Sequence, residues 1–351
     1  MATFPTTPEE VTVDWLADHL PHAPAGFEWS YVGTGQVGDS VRFMLDYHGG
    51  ADGPPSVVAK FPAADETSRA TATGFGLYRH EVGFYRHVAG QVGMRVPRCH
   101  AAKIDEDGGD FILLMEDCGP CEQGDQLAGC TADQAREVVQ QAALLHRGTW
   151  GREDLFAADW LAPKPEARAM LGAAYPQATA VFAERYAEAL EPQLMEVVRA
   201  LGEHSDRWFD RDVALRCLVH GDYRLDNMLF AIHGGLEPLA VLDWQTLVPG
   251  DGLTDIGYFL GAGIKPGLRA EIETELLALY REEMARGGIE LSDEEMRDGY
   301  AGGALHGVAT AVFSAAFVKR TERGDAMFLA MADGACRLTR DIDALRLVRG
   351  G

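Results

Sequence analysis

Basic residues are scarce in this chain. Lysine and arginine together number 31 against 54 aspartates and glutamates, which gives the 351 residues a formal net charge of -23. Nucleic-acid binding rests on Lys and Arg neutralising phosphates, so this balance argues against it. The acidity itself reads as a solubility device rather than a guide to substrate. Cysteine is scarce too: Cys99, Cys118, Cys121, Cys130, Cys217 and Cys336 are the only six. Their spacing suggests no disulfide framework, and a chain this long does not need one. Cys118 and Cys121 form a CxxC, but zinc would take a second pair and a redox role would take a βαβ context. Neither is there, so the thiols read as incidental. The N-terminus lacks the basic and apolar regions of a signal peptide. The longest uncharged run, 301–318, is about long enough to cross a bilayer. It is rich in Gly, Ala and Thr, contains His306, and follows a Ser292-x-x-Glu295 capping box, so it reads as a buried helix. No membrane insertion is expected, and the expected location is cytoplasmic. Repeats and low-complexity tracts are missing as well.

Hydrophobic residues make up 47% of the chain, enough for a globular core, and the length suits two lobes. Thr7-Pro8-Glu9-Glu10 starts a short helix through Trp15 and Leu20. Strand-like stretches follow at 28–32, 41–47 and 56–61, then a helix over 70–89 and strands at 101–104 and 111–115. The loop Glu116-Asp117-Cys118-Gly119-Pro120 reads as a hinge. Beyond it the pattern turns helical. A Thr131-x-x-Gln134 capping box precedes Ala135, Val138, Val139, Ala142 and Leu145 on one face. Further helices are expected over 167–201, 268–286, 293–320 and 325–346. The expected fold is α+β: a small β-rich lobe with one key helix over 1–117, and a larger, mainly helical lobe over 118–351.

Within that helical part stands the run His220-Gly221-Asp222-Tyr223-Arg224-Leu225-Asp226-Asn227, followed by Val241-Leu242-Asp243-Trp244. Asp222 is placed to accept a proton from an alcohol. Asn227 and Asp243 carry the hard oxygens that Mg²⁺ prefers. The residues between them fit a hairpin turning at His233-Gly234-Gly235, which would bring the two back together. Upstream, Gly33-Thr34-Gly35-Gln36-Val37-Gly38-Asp39-Ser40 is a G-x-G-x-x-G. A dinucleotide site would need strand-turn-helix, whereas 41–47 alternates like a strand, so the run suits a phosphate cover between strands. Asp39 is expected to point away from a polyphosphate. Val57-Val58-Ala59-Lys60 matches the strand pattern that presents a lysine to phosphates.

These motifs resemble the aminoglycoside phosphotransferase-like kinases, a superfamily that includes choline kinases and ecdysteroid kinase-like proteins. The loop H-G-D-x-x-x-x-N is intact. Asp243-Trp244-Gln245 fits D-[WFI]-[EQ], and Asp255-Ile256-Gly257-Tyr258 fits D-[IL]-[AG]-Y. HGDYRLDN with LDW is also similar to the kinase-like domains fused to acyl-CoA dehydrogenases. The resemblance implies an ATP- and Mg²⁺-dependent small-molecule kinase with an alcohol acceptor. Asp222 would be the base or the residue that orients the hydroxyl, and Asn227 and Asp243 the metal ligands. Gly33, Gly35, Gly38 and Ser40 would cover the nucleotide phosphates. Lys60 would pair with Glu81 of an E-x-x-F-Y pattern, and Glu116 to Cys118 would offer backbone groups to adenine. His220 and Asp255 would hold the catalytic loop. Arg224 is open between phosphate binding and pairing with an acid. His146, Trp150, Trp244 and Tyr258 are open between lining an acceptor pocket and core packing. The acceptor would be a hydroxylated lipid, sterol or hydroxyacyl compound, or an aminoglycoside. A non-catalytic nucleotide-binding module is the alternative from another class. A protein kinase is disfavoured because HGD stands where HRD would, and no D-F-G or A-P-E follows.

Overall fold

The structure, a computed structural model, describes residues 3–33, 37–50, 53–162 and 165–349. The chain divides into two compact units. The first comprises Met1–Gln91, Arg95–Pro120 and Leu242–Leu247. Its frame is an antiparallel sheet of β1 (Gly26–Tyr31), β2 (Gly38–Asp46), β3 (Ser56–Pro62), β4 (Cys99–Ile104) and β5 (Phe111–Glu116), in the order β1-β2-β3-β5-β4. Alternation along β2 and β3 sends Val41, Phe43, Leu45, Val57, Ala59 and Phe61 into one core, with Leu16 and Leu20 from the N-terminal segment. Burying each of the larger side chains contributes about 1.5–3 kcal/mol. Lys60 therefore falls on the opposite face. Strand β5 is buried on both faces, which explains its unbroken run Phe-Ile-Leu-Leu-Met.

The helix expected over 70–89 is two helices, Glu66–Phe75 and Leu77–His87. Gly76 separates them at φ 75°, a left-handed conformation that ends the first helix, and its N–H bonds Ala72 O and Thr73 O. The second helix packs Tyr78 against Phe111, with ring centroids 4.5 Å apart. This packing fixes which face presents Glu81.

The second unit holds Val92–Met94, Cys121–Val241 and Val248–Gly351. Both capping boxes form. Thr131 Oγ1 accepts from Gln134 N at 3.2 Å while Gln134 Oε1 accepts from Thr131 N at 2.9 Å, opening helix Ala132–Gly148. Ser292 and Glu295 do the same for helix Asp293–Phe317, which holds the uncharged run up to Phe317 and buries one face of it. Among the described residues no helix is long and apolar enough to cross a membrane. The helix expected over 167–201 divides into Pro165–Tyr186 and Pro192–Glu203. Pro192 stands in the first turn of the second helix, where its missing N–H leaves no intrahelical bond unmade.

Three short strands, β6 (Glu122–Gln123), β8 (Met228–Ala231) and β9 (Glu237–Val241), form a sheet in the order β6-β8-β9; β7 (Cys217–Val219) pairs with β10 (Val248–Gly250). The hairpin between β8 and β9 is present, with Met228 opposite Val241. His233 and Gly234 turn it at positive φ. Helix Leu253–Tyr258 lies directly on helix Asp293–Phe317. A Cβ on Gly257 would sit 2.6 Å from Gly303 Cα, so only glycine permits this approach. Asp255 and Tyr258 are carried to the loop 220–227 by that contact.

Candidate active site

In the first unit, Lys60 leaves β3 toward helix Leu77–His87, where Glu81 waits. Lys60 Nζ lies 2.8 Å from the Glu81 carboxylate and 3.2 Å from Asp243 Oδ1. Lys60 is 9% exposed and Glu81 2%, so neither has water to satisfy it. Burial works against the ammonium, but Asp243 and Glu81 together outweigh it and hold the Lys60 pKa above its usual value. The ion pair expected from the sequence is present; the second bond, to Asp243, was not foreseen. Two carboxylates share one ammonium here, which leaves a net negative charge on the more accessible Asp243.

Asp243 itself has φ 62°, a left-handed conformation that aspartate tolerates better than most residues. Its neighbours hold it there. Trp244 stacks on Phe84 at 3.6 Å and 7° between planes, and Gln245 O meets His80 Nδ1 at 3.2 Å. Trp244 is thus a packing residue. Near Lys60 the strands run close: a Cβ on Gly38 would lie 3.1 Å from Phe61 O and 3.2 Å from Lys60 Cε. Ser40 is paired with Lys60 across β2 and β3. Asp39 accepts from Ala64 N at 3.0 Å, so its carboxylate is occupied locally. Gly33 has φ 77°, which glycine alone adopts freely. Gly35 lies outside the described residues.

The segment after β5 is fixed by side chains. Arg95 grips both oxygens of Glu116 at 3.1 Å, and Arg98 N donates to it at 2.9 Å. Asp117 accepts from Arg42 Nε at 2.6 Å, Ser56 Oγ at 2.7 Å and Gly119 N at 3.0 Å. Burial alone would raise the Asp117 pKa; these donors reverse that and lower it. Cys118 is buried between them.

In the second unit the loop 220–227 leaves β7. Asp255, fully buried, accepts from His220 N at 2.7 Å, Gly221 N at 2.9 Å and His146 Nε2 at 3.1 Å. His146 Nδ1 completes the chain with Tyr280 OH at 3.0 Å. Despite its burial, Asp255 has a lowered pKa because His146, His220 and the backbone N–H all favour the carboxylate. His220 Nδ1 accepts from Asp222 N at 3.2 Å. His146 is therefore a support for the loop, and His220 and Asp255 hold the loop as expected. His306, on helix Asp293–Phe317, meets Gly221 O at 2.7 Å through Nε2, which must carry its proton.

Asp222 is surrounded by donors. Arg224 Nε lies 3.0 Å from each carboxylate oxygen. Asn227 Nδ2 lies 3.0 Å from Oδ2, and Tyr258 OH 2.9 Å from Oδ1. A carboxylate offers about four lone-pair positions. Each oxygen therefore has two contacts, with the Arg224 hydrogen shared between them, and the side chain is 25% exposed. Burial opposes the charge, yet Arg224, His220 and Tyr258 hold the Asp222 pKa below the usual carboxylate range. Arg224 also bonds Asp226 at 3.0 Å, so here it pairs with acids. Asn227 spends its amide nitrogen on Asp222 O at 2.8 Å and on Oδ2, so the amide oxygen is the atom left for a cation. Tyr258 as a partner of Asp222 was missed from the sequence; its one visible signal was the spacing of three from Asp255, one helical turn. Among the described residues, no three His, Cys, Asp or Glu side chains gather to hold a metal by themselves.

A phosphotransferase enzyme family model matches residues 47–297. No curated protein matches the sequence. Among solved structures, a candidate aminoglycoside phosphotransferase from Ralstonia eutropha JMP134 superposes with TM-score 0.57 at 18% identity, over 93% of this chain and 97% of its own. Choline kinase from Cryptosporidium parvum Iowa II gives TM-score 0.58 at 10% identity, over 96% of each chain. An ADP-bound aminoglycoside phosphotransferase gives 0.50 at 15% identity, over 88% of this chain and 94% of its own. At such identities the likeness is one of fold, and that fold is the two-lobe, kinase-like one.

Proposed function

Because this chain belongs to the phosphotransferase enzyme family, we propose that it transfers the γ-phosphate of ATP, with Mg²⁺, to the hydroxyl of a small alcohol. That it is a small-molecule phosphotransferase acting on a hydroxyl follows from the family; nucleotide, metal and residue roles are the proposal. The observation that carries it is Lys60 held between Glu81 and Asp243 at 2.8 and 3.2 Å. Phosphoryl transfer needs a positioned cation for the phosphates and a carboxylate for the metal more than covalent chemistry. This cluster supplies both.

Gly33, Gly35, Gly38 and Ser40 cover the phosphates, Lys60 binds them, and backbone groups from Glu116 to Cys118 take adenine. An ADP-bound neighbour of the same fold supports nucleotide binding. Asn227 and Asp243 are the metal ligands. Their hard oxygens fit Mg²⁺, which commonly uses one or two carboxylates together with substrate phosphates. When bound, Mg²⁺ neutralises phosphate charge. Asp222 receives the acceptor hydroxyl at its exposed edge, where the hydroxyl shares an oxygen with the bifurcated Arg224 bond. Its depressed pKa makes it a weak base, so it orients the hydroxyl and takes the proton late, as a loose transition state allows. The acceptor is a hydroxylated lipid, sterol or hydroxyacyl compound, or an aminoglycoside. Cys99, Cys130, Cys217 and Cys336 carry free thiols, which fits a reducing compartment such as the cytoplasm.

ADP release from Mg·ATP is the test, run over pooled aminoglycosides, choline-like amines, sterols and hydroxyacyl compounds. One pool should respond, and Asp222→Asn should abolish the response. A folded Asp222→Asn protein with near-normal turnover would refute the role given to Asp222. Mg·ATP binding without turnover on any pool would favour a regulatory nucleotide-binding module.

A further inference from the structure

Arginine is the minority charge in this molecule, and most arginines of the second unit are matched to a carboxylate. A few bond only backbone carbonyls, and two of these sit side by side. Arg211 follows helix Ser205–Asp210, and Arg168 lies on helix Pro165–Tyr186. Among the described residues neither forms an ion pair. Arg168 donates to Phe209 O and Arg211 O, and Arg211 Nη1 donates to Trp208 O at 2.6 Å. The Arg211 guanidinium stacks 3.2 Å above the Trp208 ring. These bonds cap the helix C-terminus, which carries only about half a negative charge against two full positive ones. Capping explains where the groups sit and leaves most of their charge uncompensated. Burial and the neighbouring Arg168 push the Arg211 pKa down to about 9, the mark of a cation without a counter-charge.

The location matters as much as the charge. His306, Thr310 and Phe313 line one face of helix Asp293–Phe317 at i, i+4 and i+7. Phe209 packs on Phe313 at 5.8 Å between ring centroids. At the other end of this stripe His306 holds Gly221 O, next to Asp222. Arg211 follows Phe209 by two residues, so it leaves helix Ser205–Asp210 beside the Phe209–Phe313 contact.

We propose that Arg211, with Arg168 beside it, binds an oxyanion, a carboxylate or phosphate, carried by the acceptor alcohol whose hydroxyl meets Asp222. This rests on Asp222 as the residue that orients the acceptor. It narrows the acceptor to an anionic alcohol and excludes polycationic aminoglycosides, which two uncompensated arginines would repel.

The test compares acceptors on the full chain: hydroxy acids, their methyl esters, phosphate monoesters that keep a free hydroxyl, and aminoglycosides. The carboxylate and phosphate arms tell which anion is used. An anionic acceptor should exceed its neutral ester in kcat/KM by about tenfold or more, the scale of one charge-assisted hydrogen bond. Arg211→Gln should collapse that preference chiefly through KM, and Arg211→Lys should restore part of it. Arg168→Gln, at an exposed position, should move it the same way even if Arg211→Gln does not fold. Arg281→Gln, which breaks a surface pair with Asp293, should leave the preference intact. Equal turnover of acid and ester, preferred turnover of aminoglycosides, or a preference that survives Arg211→Gln and Arg168→Gln would overturn the pocket while leaving the phosphotransferase intact. Mg·ATP binding with no turnover on any arm would overturn both.

Discussion

Replacing Tyr258 by Phe removes one oxygen and little else. The ring stays packed against His306, 5.3 Å away and nearly perpendicular, while the 2.9 Å bond to Asp222 Oδ1 disappears. A hydrogen bond to a charged group is worth about 1.5–3 kcal/mol, and each 1.4 kcal/mol is about tenfold in rate. The bond exists in ground and transition states alike, so only the part that fixes the carboxylate's orientation should appear in kcat. A fall of about tenfold in kcat is expected, with a smaller change in KM. The pH profile supplies the sharper reading. Tyr258 donates to the ionised form of Asp222 and so helps to lower its pKa. Without it the carboxylate protonates at higher pH, and the acid limb of kcat/KM should move upward. Steady-state ADP release across pH, on the acceptor identified above, measures both quantities. An unshifted acid limb with a reduced kcat would refute the reasoning, because it would make Tyr258 a packing residue only.

Asp243→Asn should remove the net negative charge beside Lys60, so ATP should bind better without magnesium while turnover falls by orders of magnitude; calorimetric titration with and without Mg²⁺ checks this, and unchanged metal-free affinity would contradict it. Burial lowers the pKa of His80, His100 and His306. The unfolded chain then binds protons that the folded chain does not, so stability should fall as pH drops below the ordinary imidazole value of about 6.5. His306→Gln, which can still donate to Gly221 O, should flatten part of that slope in thermal unfolding; an identical slope would show that His306 contributes nothing to it.

Much of this arrangement was legible in the sequence because its signals are local. The two capping boxes, the alternation that turns Lys60 away from Val57 and Ala59, and the His233-Gly234-Gly235 turn each lie within a few residues. Gly76 was legible in principle, since glycine in a helical run lowers helix propensity, but one glycine does not say whether the helix will break. What could not be read were partners chosen by tertiary packing. Asp117 finds Arg42 across 75 residues, and Lys60 finds Asp243 across 183. Nothing in the spacing of either pair encodes the match. Trp244 and His146 show the same limit from the other side. Both stand in motifs and could have lined a pocket, but one stacks on Phe84 and the other bonds Asp255. Neither ring's role follows from its own neighbours in the chain.

The distribution of charge gives the parts a common logic. A molecule of net charge -23 must receive a polyanion, yet its buried lysine is flanked by two carboxylates and cannot attract one unaided. Glu81 keeps Lys60 charged and extended, at the cost of cancelling its charge at a distance. Asp243 then tips the cluster negative, which suits a nucleotide arriving with a divalent cation and resists one arriving bare. At Asp222 the sign is reversed: Arg224 compensates the carboxylate, and the loop's only further anion nearby, Asp226, is shared between Arg224 and Arg323. The Lys60 cluster is net negative and the charges around Asp222 balance, so neither attracts an anionic acceptor. Arg168 and Arg211 at the end of helix Ser205–Asp210 are the proposed exception, a neighbouring pair of cations that among the described residues forms no ion pair.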